Sequence, residues 1–301
     1  MNIPFVAQPV AAPPCPGPDP NPHGPARFQI PEGAVDTHAH VIGGPPEYPF
    51  VDQRSYTPPP ATSKQYLRML DATGIHRGVL VQISVHGTDD RLLRETLRAH
   101  PQRLRGIGVM PLGLTQREYE AARQDGIVGL RLNVLYGGGI GLDALVEYGA
   151  LARELGWHLQ LLLDARTLSV TLASAIARLP VPVVFDHMGH FPAALVEREK
   201  GFETLKALVR DGGWVKLSGA YRLDKGPNFG ATTPLARQLV NEAPERCVWG
   251  SDWPHVAHWD QMMNVGRLLD LLADWVPDEA QRKRVLVDNA RLLYGFTSDV
   301  E

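Results

Sequence analysis

Two histidines, His38 and His40, close a short apolar run in the stretch GAVDTHAHVIG, which spans residues 33 to 43. Successive side chains of a β-strand point to opposite faces, so residues two apart share a face. The two imidazoles therefore converge on one small volume. Imidazole nitrogens bind metal ions and donate hydrogen bonds to developing oxyanions. The spacing thus predicts a site that holds a metal or stabilises an oxyanion.

Polar residues also close most of the other apolar runs of the chain. Only the third run ends in a chemically bland residue, Met110. A single histidine at a strand end is more often structural than catalytic, but charged groups that are half buried need partners, so a convergence of many favours a shared site. The candidates are Ser84, His86, Arg131, Asn133, Asp164, His187, His190, Ser218, Tyr221, Arg222, Asp252 and His255.

The secondary-structure elements that position these residues are predicted to alternate between strands and helices. Eight short β-branched runs are separated by longer amphipathic ones, and their predicted bounds are 34–38, 78–84, 105–110, 128–134, 158–163, 182–187, 214–218 and 247–252. Eight strand–helix units in about 260 residues match a (β/α)8 TIM barrel, whose active sites lie at the carboxyl ends of the strands. A doubly wound sheet is the alternative, but the first run is not followed by its glycine fingerprint.

Proline dominates the first 32 residues, where neither a helix nor a sheet interior can form. We expect residues 1–32 to form an extended arm that lies over the body. Residues 33–301 are then a single barrel domain.

Composition narrows the class of function. The chain has 301 residues, of which 44% are hydrophobic and 21% charged, and a net charge of -3. There is no Lys/Arg-rich run for nucleic acid or an acidic membrane surface, and no apolar run of bilayer length. Two cysteines, Cys15 and Cys247, form no disulfide framework, as expected in a reducing compartment. The predicted location is cytoplasmic and the predicted partner a small molecule, while the oligomeric state stays open.

Several motifs in combination resemble one known family. VDTHAH, FDHMGH and WGSDWPH follow the first, sixth and eighth runs, and VQISVHGTDD, GLRLNV and WVKLSGAYR lie between them in the order that the family shows. Together they resemble the amidohydrolase superfamily, in particular its branch of 2-pyrone-4,6-dicarboxylate lactonase and related lactone hydrolases. The resemblance covers nearly the whole chain from residue 26. It implies a distorted TIM barrel and the hydrolytic opening of a lactone.

Chemistry suggests roles for the residues of these motifs. Asp252 is the only carboxylate among the strongest motifs, and an aspartate with an ordinary pKa is ionised at neutral pH and accepts a proton from water. We expect it to be the general base, although a helix cap or a partner for a nearby histidine would also suit it. His38, His40 and His187 would stabilise the negative charge on the carbonyl oxygen, directly or through a divalent cation.

The chain differs from the two-metal members of the superfamily. Those members have a bridging lysine or glutamate at strand four and a histidine at strand five, where this chain has LRLN and LLLD. His38, His40, His187 and Asp252 would still suit a single zinc ion with water as a further ligand. The lactonase that the sequence resembles works without a metal. We therefore expect that no cofactor is required, with one zinc ion as the alternative.

Two arginines are candidates for holding the substrate. Arg131 and Arg222 end strands four and seven, and a guanidinium recognises carboxylates bidentately, although both could instead form salt bridges within the protein. The resemblance assigns both to substrate carboxylates and adds Tyr56, Ser84, Thr88 and His255 as polar contacts. His86 and His190 complete the predicted binding set. The resemblance implies a 2-pyrone-4,6-dicarboxylate-like substrate. Because His190 and Gly137 stand where the lactonase has further arginines, a related lactone with fewer or differently placed acidic groups is also expected, such as a muconolactone or an aldonolactone.

Two alternatives to a lactonase remain open from the sequence. A metal-dependent decarboxylase of the same superfamily shares the paired histidines and the aspartate of strand eight, but needs its metal for turnover. A barrel that binds a small ligand without catalysis would capture it and release no product.

Overall fold

Eight parallel strands form one sheet in the computed structural model, which describes residues 12–297 apart from 197, 199 and 261. The strands pair in sequence order, each with the next. They are β1 (Val35–Ala39), β2 (Arg77–Val81), β3 (Leu104–Gly108), β4 (Ile127–Asn133), β5 (His158–Leu162), β6 (Val183–Phe185), β7 (Trp214–Leu217) and β8 (Cys247–Trp249). The predicted (β/α)8 barrel is confirmed.

The sheet closes where β1 meets the residues that follow β8. The Asp252 amide donates to the His38 carbonyl over 2.8 Å, and the His40 amide donates to the Trp253 carbonyl over 2.8 Å. The pairing of β1 with β2 also shifts by one residue between Asp36 and Ala39. Such bulges re-aim side chains and are frequent beside active sites. The closure therefore places His38 and His40 directly against the loop after β8 that contains Asp252.

Helices follow the strands and cover the outside of the barrel. Their bounds are α1 (Ser63–Thr73), α2 (Arg91–Ala99), α3 (Gln116–Gln124), α4 (Leu145–Leu155), α5 (Val170–Ala177), α6 (Lys200–Arg210), α7 (Ala220–Leu223), α8 (Thr232–Glu242), α9 (Val265–Trp275), α10 (Glu279–Lys283) and α11 (Asn289–Tyr294). A π-helical segment, Arg284–Asp288, joins the last two. Local sequence explains several starts: Thr62 with Gln65, and Thr115 with Glu118, form capping boxes in which each side chain satisfies the other's backbone amide.

An apolar layer fills the amino-terminal end of the barrel. Valines of four strands pack there with Tyr294 and Phe296 from the C-terminal segment. Arg77 and Arg105, which lie near the starts of β2 and β3, cover the Phe296 ring. The buried His158 ring, at the start of β5, packs against Tyr294 beside this layer.

The described part of the predicted arm, residues 12–32, contains no helix or extended strand. Near its start, Cys15 donates its amide to the Thr57 carbonyl and the Trp259 indole donates to the Pro14 carbonyl. Further along, the Asp270 carboxylate of α9 accepts the amides of Ala26 and Arg27. The described part of the arm thus runs along the outside of the barrel beside α9. Residues 1–11 of the arm lie outside the described residues.

Both cysteines, Cys15 and Cys247, are buried and free. Among the described residues, no helix combines the length and the apolar character needed to cross a bilayer.

Candidate active site

Four predicted catalytic residues meet at the carboxyl-terminal end of the barrel. The Nε2 atoms of His38, His40 and His187 lie 3.8, 3.7 and 3.8 Å from the same oxygen, Asp252 Oδ1. Asp252 and His38 are fully buried, and the other two rings are nearly so. The predicted convergence of the paired histidines with the motifs of strands six and eight is therefore present in the fold.

Two loops with an unusual backbone carry half of this cluster. Of the seven non-glycine residues with positive φ in the described chain, six lie just after β6 or β8: His187, Met188, His190, Asp252, His255 and Ala257. This region is sterically costly for residues other than glycine, and such strain is common at functional sites. Asp252, with φ of 60°, turns back over the barrel instead of continuing the strand.

Two glycines give the rings the space they need. A Cβ at Gly250 would lie 2.7 Å from the His38 Cβ, and one at Gly219 would lie 2.9 Å from the His187 Nδ1. Any side chain at either position would displace an imidazole of the cluster. The motifs WGSD and LSGAY therefore supply space as well as functional groups.

Each imidazole is oriented through its other nitrogen. His40 Nδ1 lies 2.8 Å from the Val81 carbonyl oxygen, which can only accept, so this nitrogen donates. His187 Nδ1 lies 2.9 Å from the Ser218 hydroxyl, and His38 Nδ1 lies 3.2 Å from Lys216 Nζ. A neutral His40 consequently presents the lone pair of Nε2 to the centre of the cluster.

The two oxygens of Asp252 have different environments. Oδ2 accepts hydrogen bonds from Tyr221 (2.5 Å) and from Arg222 Nε (2.6 Å). Oδ1 has no hydrogen-bond partner among the described residues, although it is buried. Burial alone would raise the pKa of Asp252, but the Arg222 guanidinium outweighs this effect and holds the pKa well below its usual value. Asp252 is therefore ionised, with one oxygen directed at the three rings.

Burial has the opposite consequence for the histidines. It lowers the pKa of His38 to about 3, against the attraction of Asp186, and it also lowers the pKa values of His40 and His187. Burial lowers the pKa of His190 to about 4, and that of His255 likewise to about 4. These rings are neutral at physiological pH, so each offers one N–H and one lone pair.

Arg222 and Arg131 differ in how many of their nitrogens form hydrogen bonds within the protein. Arg222 donates Nε to Asp252, Nη1 to the Tyr136 hydroxyl and Nη2 to the Val256 carbonyl. Arg131 donates only Nε, to Asp186 Oδ2 over 3.1 Å, and its terminal nitrogens make no hydrogen bond within the described chain. Arg222 is thus an ion-pair partner of Asp252, whereas one edge of the Arg131 guanidinium has no partner in the described chain.

The other predicted binding residues differ in their hydrogen bonds and in their exposure. Tyr56 lies 3.3 Å from the Ser84 hydroxyl, and both side chains are buried beside Tyr136. His255 has no hydrogen-bond partner on either nitrogen among the described residues, and His190 has none on Nε2, although all three atoms are buried. His86 contacts the backbone through both nitrogens, at Gly43 and Pro49, and Thr88 is exposed.

The sequence analysis missed two residues that the structure places in the site, Lys216 and Tyr136. Lys216 lies in the middle of β7, fully buried, and contacts His38, Gln160 and Asp186. Burial lowers the pKa of Lys216 to about 8, although Asp186 opposes this shift. A lysine inside the apolar run WVKLS is itself a usable signal, because lysine is almost never fully buried without a partner. Tyr136, by contrast, is brought in by a loop that Asn133 folds through its amide side chain.

Three of the four predicted metal ligands, His38, His187 and Asp252, could hold a single divalent cation. One ligand atom from each of His38, His187 and Asp252 lies within 4.8 Å of the others, and Nε2 of His38 and Oδ1 of Asp252 are buried with no hydrogen-bond partner in the described chain. Imidazole and carboxylate are the ligands that zinc prefers. Such an ion would polarise a carbonyl or lower the pKa of water.

The amidohydrolase family model matches residues 35–296, which is nearly the whole barrel. The chain belongs to the amidohydrolase family. It is 35% identical over 281 residues to 4-sulfomuconolactone hydrolase of Hydrogenophaga intermedia, with 90% of this chain and 91% of that protein covered. It is 32% identical over 287 residues to 2-pyrone-4,6-dicarboxylate hydrolase of Comamonas testosteroni, covering 91% and 93%.

A crystal structure of a probable 2-pyrone-4,6-dicarboxylic acid hydrolase from Acinetobacter baumannii, with citric acid bound, has the same fold. Its TM-score with this amidohydrolase is 0.78 at 28% identity, and the match covers 88% of this chain and all of that one. The resemblance predicted from the motifs is confirmed.

Proposed function

We propose that this amidohydrolase hydrolyses a lactone that carries a carboxylate or sulfonate group. The observation that carries the proposal is the buried Asp252 carboxylate, whose Oδ2 is held by Arg222 and Tyr221 while Oδ1 faces three neutral imidazoles. The relatives named for sulfomuconolactone and pyrone dicarboxylate hydrolysis support the substrate class.

Asp252 Oδ1 acts as the general base in the proposed reaction. It accepts one proton from water as the water oxygen bonds to the lactone carbonyl carbon. His40, whose Nε2 presents a lone pair, accepts a hydrogen bond from the same water. The histidine cluster donates to the carbonyl oxygen as negative charge develops there. The ring C–O bond then breaks, and the departing oxygen takes the proton from Asp252 to give an open-chain hydroxy acid or its tautomer.

The acidic group of the substrate contacts Arg131 in this proposal. Arg131 Nε is fixed by Asp186, which orients the two terminal nitrogens. Tyr56, Ser84, His190 and His255 complete the pocket, with Arg222 acting chiefly on Asp252. His86 and Thr88 are the weakest members of the predicted binding set, because the first is used by the backbone and the second is exposed.

Replacing Asp252 by Asn tests the proposal. The amide keeps the shape of the carboxylate but has no useful proton affinity, so kcat on an acidic lactone should fall by at least about 100-fold. Proton release at pH 7.5 from a sulfonated muconolactone, a 2-pyrone dicarboxylate and a neutral lactone of matched ring size measures turnover. Asp211→Asn, at an exposed position after α6, is the matched control. Retention of most turnover by Asp252→Asn would remove Asp252 as the base.

Metal removal separates the lactonase from a metal-dependent decarboxylase. We propose that the lactonase needs no metal, so exhaustive chelation should leave most of its turnover, with less than one zinc per chain by elemental analysis. Release of CO2 that depends strictly on added zinc would favour the decarboxylase. Tight capture of a lactone without any product would instead favour a binding barrel.

A further inference from the structure

The buried lysine of β7, Lys216, has acceptors for all three of its ammonium protons next to the histidine cluster. Lys216 Nζ donates to the Thr37 carbonyl over 2.8 Å and to Gln160 Oε1 over 2.6 Å. An ammonium has three protons, so one remains. The nearest acceptor for it is His38 Nδ1 at 3.2 Å, with Asp186 Oδ1 further away at 3.6 Å.

Asp186 is the competitor for the same ring nitrogen. Its Oδ1 lies 3.2 Å from His38 Nδ1, but Oδ1 makes no well-aligned hydrogen bond within the described residues. Its Oδ2 accepts from Arg131 Nε and from Gln160 Nε2. The carboxylate is therefore oriented by groups on β4 and β5, while the lysine is aimed at the ring.

We propose that Lys216 is a positioning residue that fixes the proton of His38 on Nε2. An ammonium only donates, so the Nδ1 that receives its proton must carry a lone pair, and the ring proton of neutral His38 then lies on Nε2. That nitrogen faces Asp252 Oδ1. His38 is thereby a hydrogen-bond donor in the cluster, whereas His40 has the opposite tautomer because its Nδ1 donates to Val81.

The assignment has two consequences for the site. If the proposed lactone hydrolysis is correct, His38 is the imidazole that donates to the developing oxyanion, and His40 is the one that accepts from water. A proton on Nε2 also removes one of the lone pairs that a cation at this position would need. One lysine thus favours direct stabilisation of the oxyanion by an N–H group.

The tautomer of His38 in the ligand-free protein tests the assignment without any assay of turnover. The protein is labelled with 15N-histidine, and two-bond 1H–15N correlations at pH 7.5 show which ring nitrogen carries the proton; His38→Gln identifies the signal. The expected result is a proton on Nε2. A proton on Nδ1, donated to Asp186, overturns the proposal, and this outcome is independent of whether the substrate is a lactone.

Replacing Lys216 by Met keeps the volume and removes the donor. His38 should then move its proton to Nδ1, and kcat should fall by about 10- to 100-fold, the range typical when a group that orients a reacting residue is lost. Lys206→Met, at a lysine of α6 that contacts Glu203 and Gln238, should change neither. An unchanged His38 tautomer in Lys216→Met overturns the proposal, and if this variant does not fold, the wild-type spectrum alone decides.

Discussion

At the scale of single residues, the two oxygens of Asp252 have different roles in the proposed reaction. Oδ2 is saturated by Tyr221 and Arg222, which keeps the carboxylate ionised and in place. Oδ1 retains its lone pairs because nothing in the described chain donates to it. A base that is both buried and unprotonated needs this asymmetry, since burial alone would favour the neutral acid.

Arginine variants distinguish substrate binding from support of the base. Arg131→Met removes the free bidentate edge, so KM for an acidic lactone should rise by about tenfold or more, which corresponds to about 1.4 kcal/mol. Arg222→Met removes the cation that lowers the pKa of Asp252, so that pKa should rise. Because the base must be ionised, the acid limb of the kcat profile should move to higher pH.

A neutral lactone is the control substrate for both variants. Arg131→Met should lose little on it, whereas Arg222→Met should show the same displaced acid limb with either substrate. Steady-state kinetics between pH 4 and 8 measures all of these quantities. Equal losses on acidic and neutral lactones for Arg131→Met would mean that Arg131 acts only through its ion pair with Asp186.

Residue types and spacing predicted which groups would meet, but not how they are paired. His38, His40, His187 and Asp252 follow from strand ends that one barrel edge must gather. The ion pair of Arg222 with Asp252 and the two backbone contacts of His86 depend on loop paths that no local pattern contains. Lys216 was missed because its apolar neighbours indicate an ordinary buried strand, although a lysine within such a run indicates a buried partner.

At the scale of elements, the predicted strands agree with the observed strands, and the main differences lie at the residues where the strands end. The sixth and eighth runs were predicted to end at residues 187 and 252, but β6 ends at Phe185 and β8 at Trp249. The residues beyond these ends turn into left-handed conformations that place His187 and Asp252. Propensity does not predict such a backbone for histidine or aspartate, because only the closed barrel stabilises it.

The arm is fastened near the mouth of the barrel by few contacts, and Trp259→Phe removes one of them. The lost indole N–H leaves the Pro14 carbonyl without this donor, at a cost of about 1 kcal/mol. Hydrogen exchange of the Cys15 amide, which donates to Thr57, should accelerate by up to about fivefold, while peptides of β3 and β4 stay unchanged. Unaltered protection of residues 12–20 would show that Trp259 does not fasten the arm.

At the scale of the whole molecule, the barrel buries several imidazoles whose pKa values are lowered by burial. Burial lowers the pKa of His158, at the start of β5, to about 3, as it does for His38. The other histidines with pKa values lowered by burial include His40, His187, His190 and His255. The stability of the fold therefore depends on pH through these histidines, of which His158 lies outside the proposed site.

The sign of that dependence follows from proton uptake. An unfolded histidine titrates near pH 6.5, above its pKa in the fold, so the unfolded chain binds more protons as the pH falls below 6.5. The free energy of unfolding therefore has its full value above about pH 6.5. It falls on acidification below that pH, by up to about 1.4 kcal/mol per pH unit for each such histidine. Burial raises the pKa of Asp36 to about 6, which offsets the uptake of one histidine between pH 6 and 4.

Urea unfolding at pH 7.5, 6.5 and 5.5 should therefore show a free energy of unfolding that falls steeply below pH 6.5. His158→Leu is the decisive variant because its ring lies in the barrel wall against Tyr294 and Nε2 has no hydrogen-bond partner in the described chain. Between pH 6.5 and 5.5 its free energy of unfolding should fall by about 1 kcal/mol less than that of the wild type, whatever the effect of the substitution on absolute stability. A wild-type free energy that stays constant from pH 7.5 to 5.5 would show that these histidines are not held neutral by the fold.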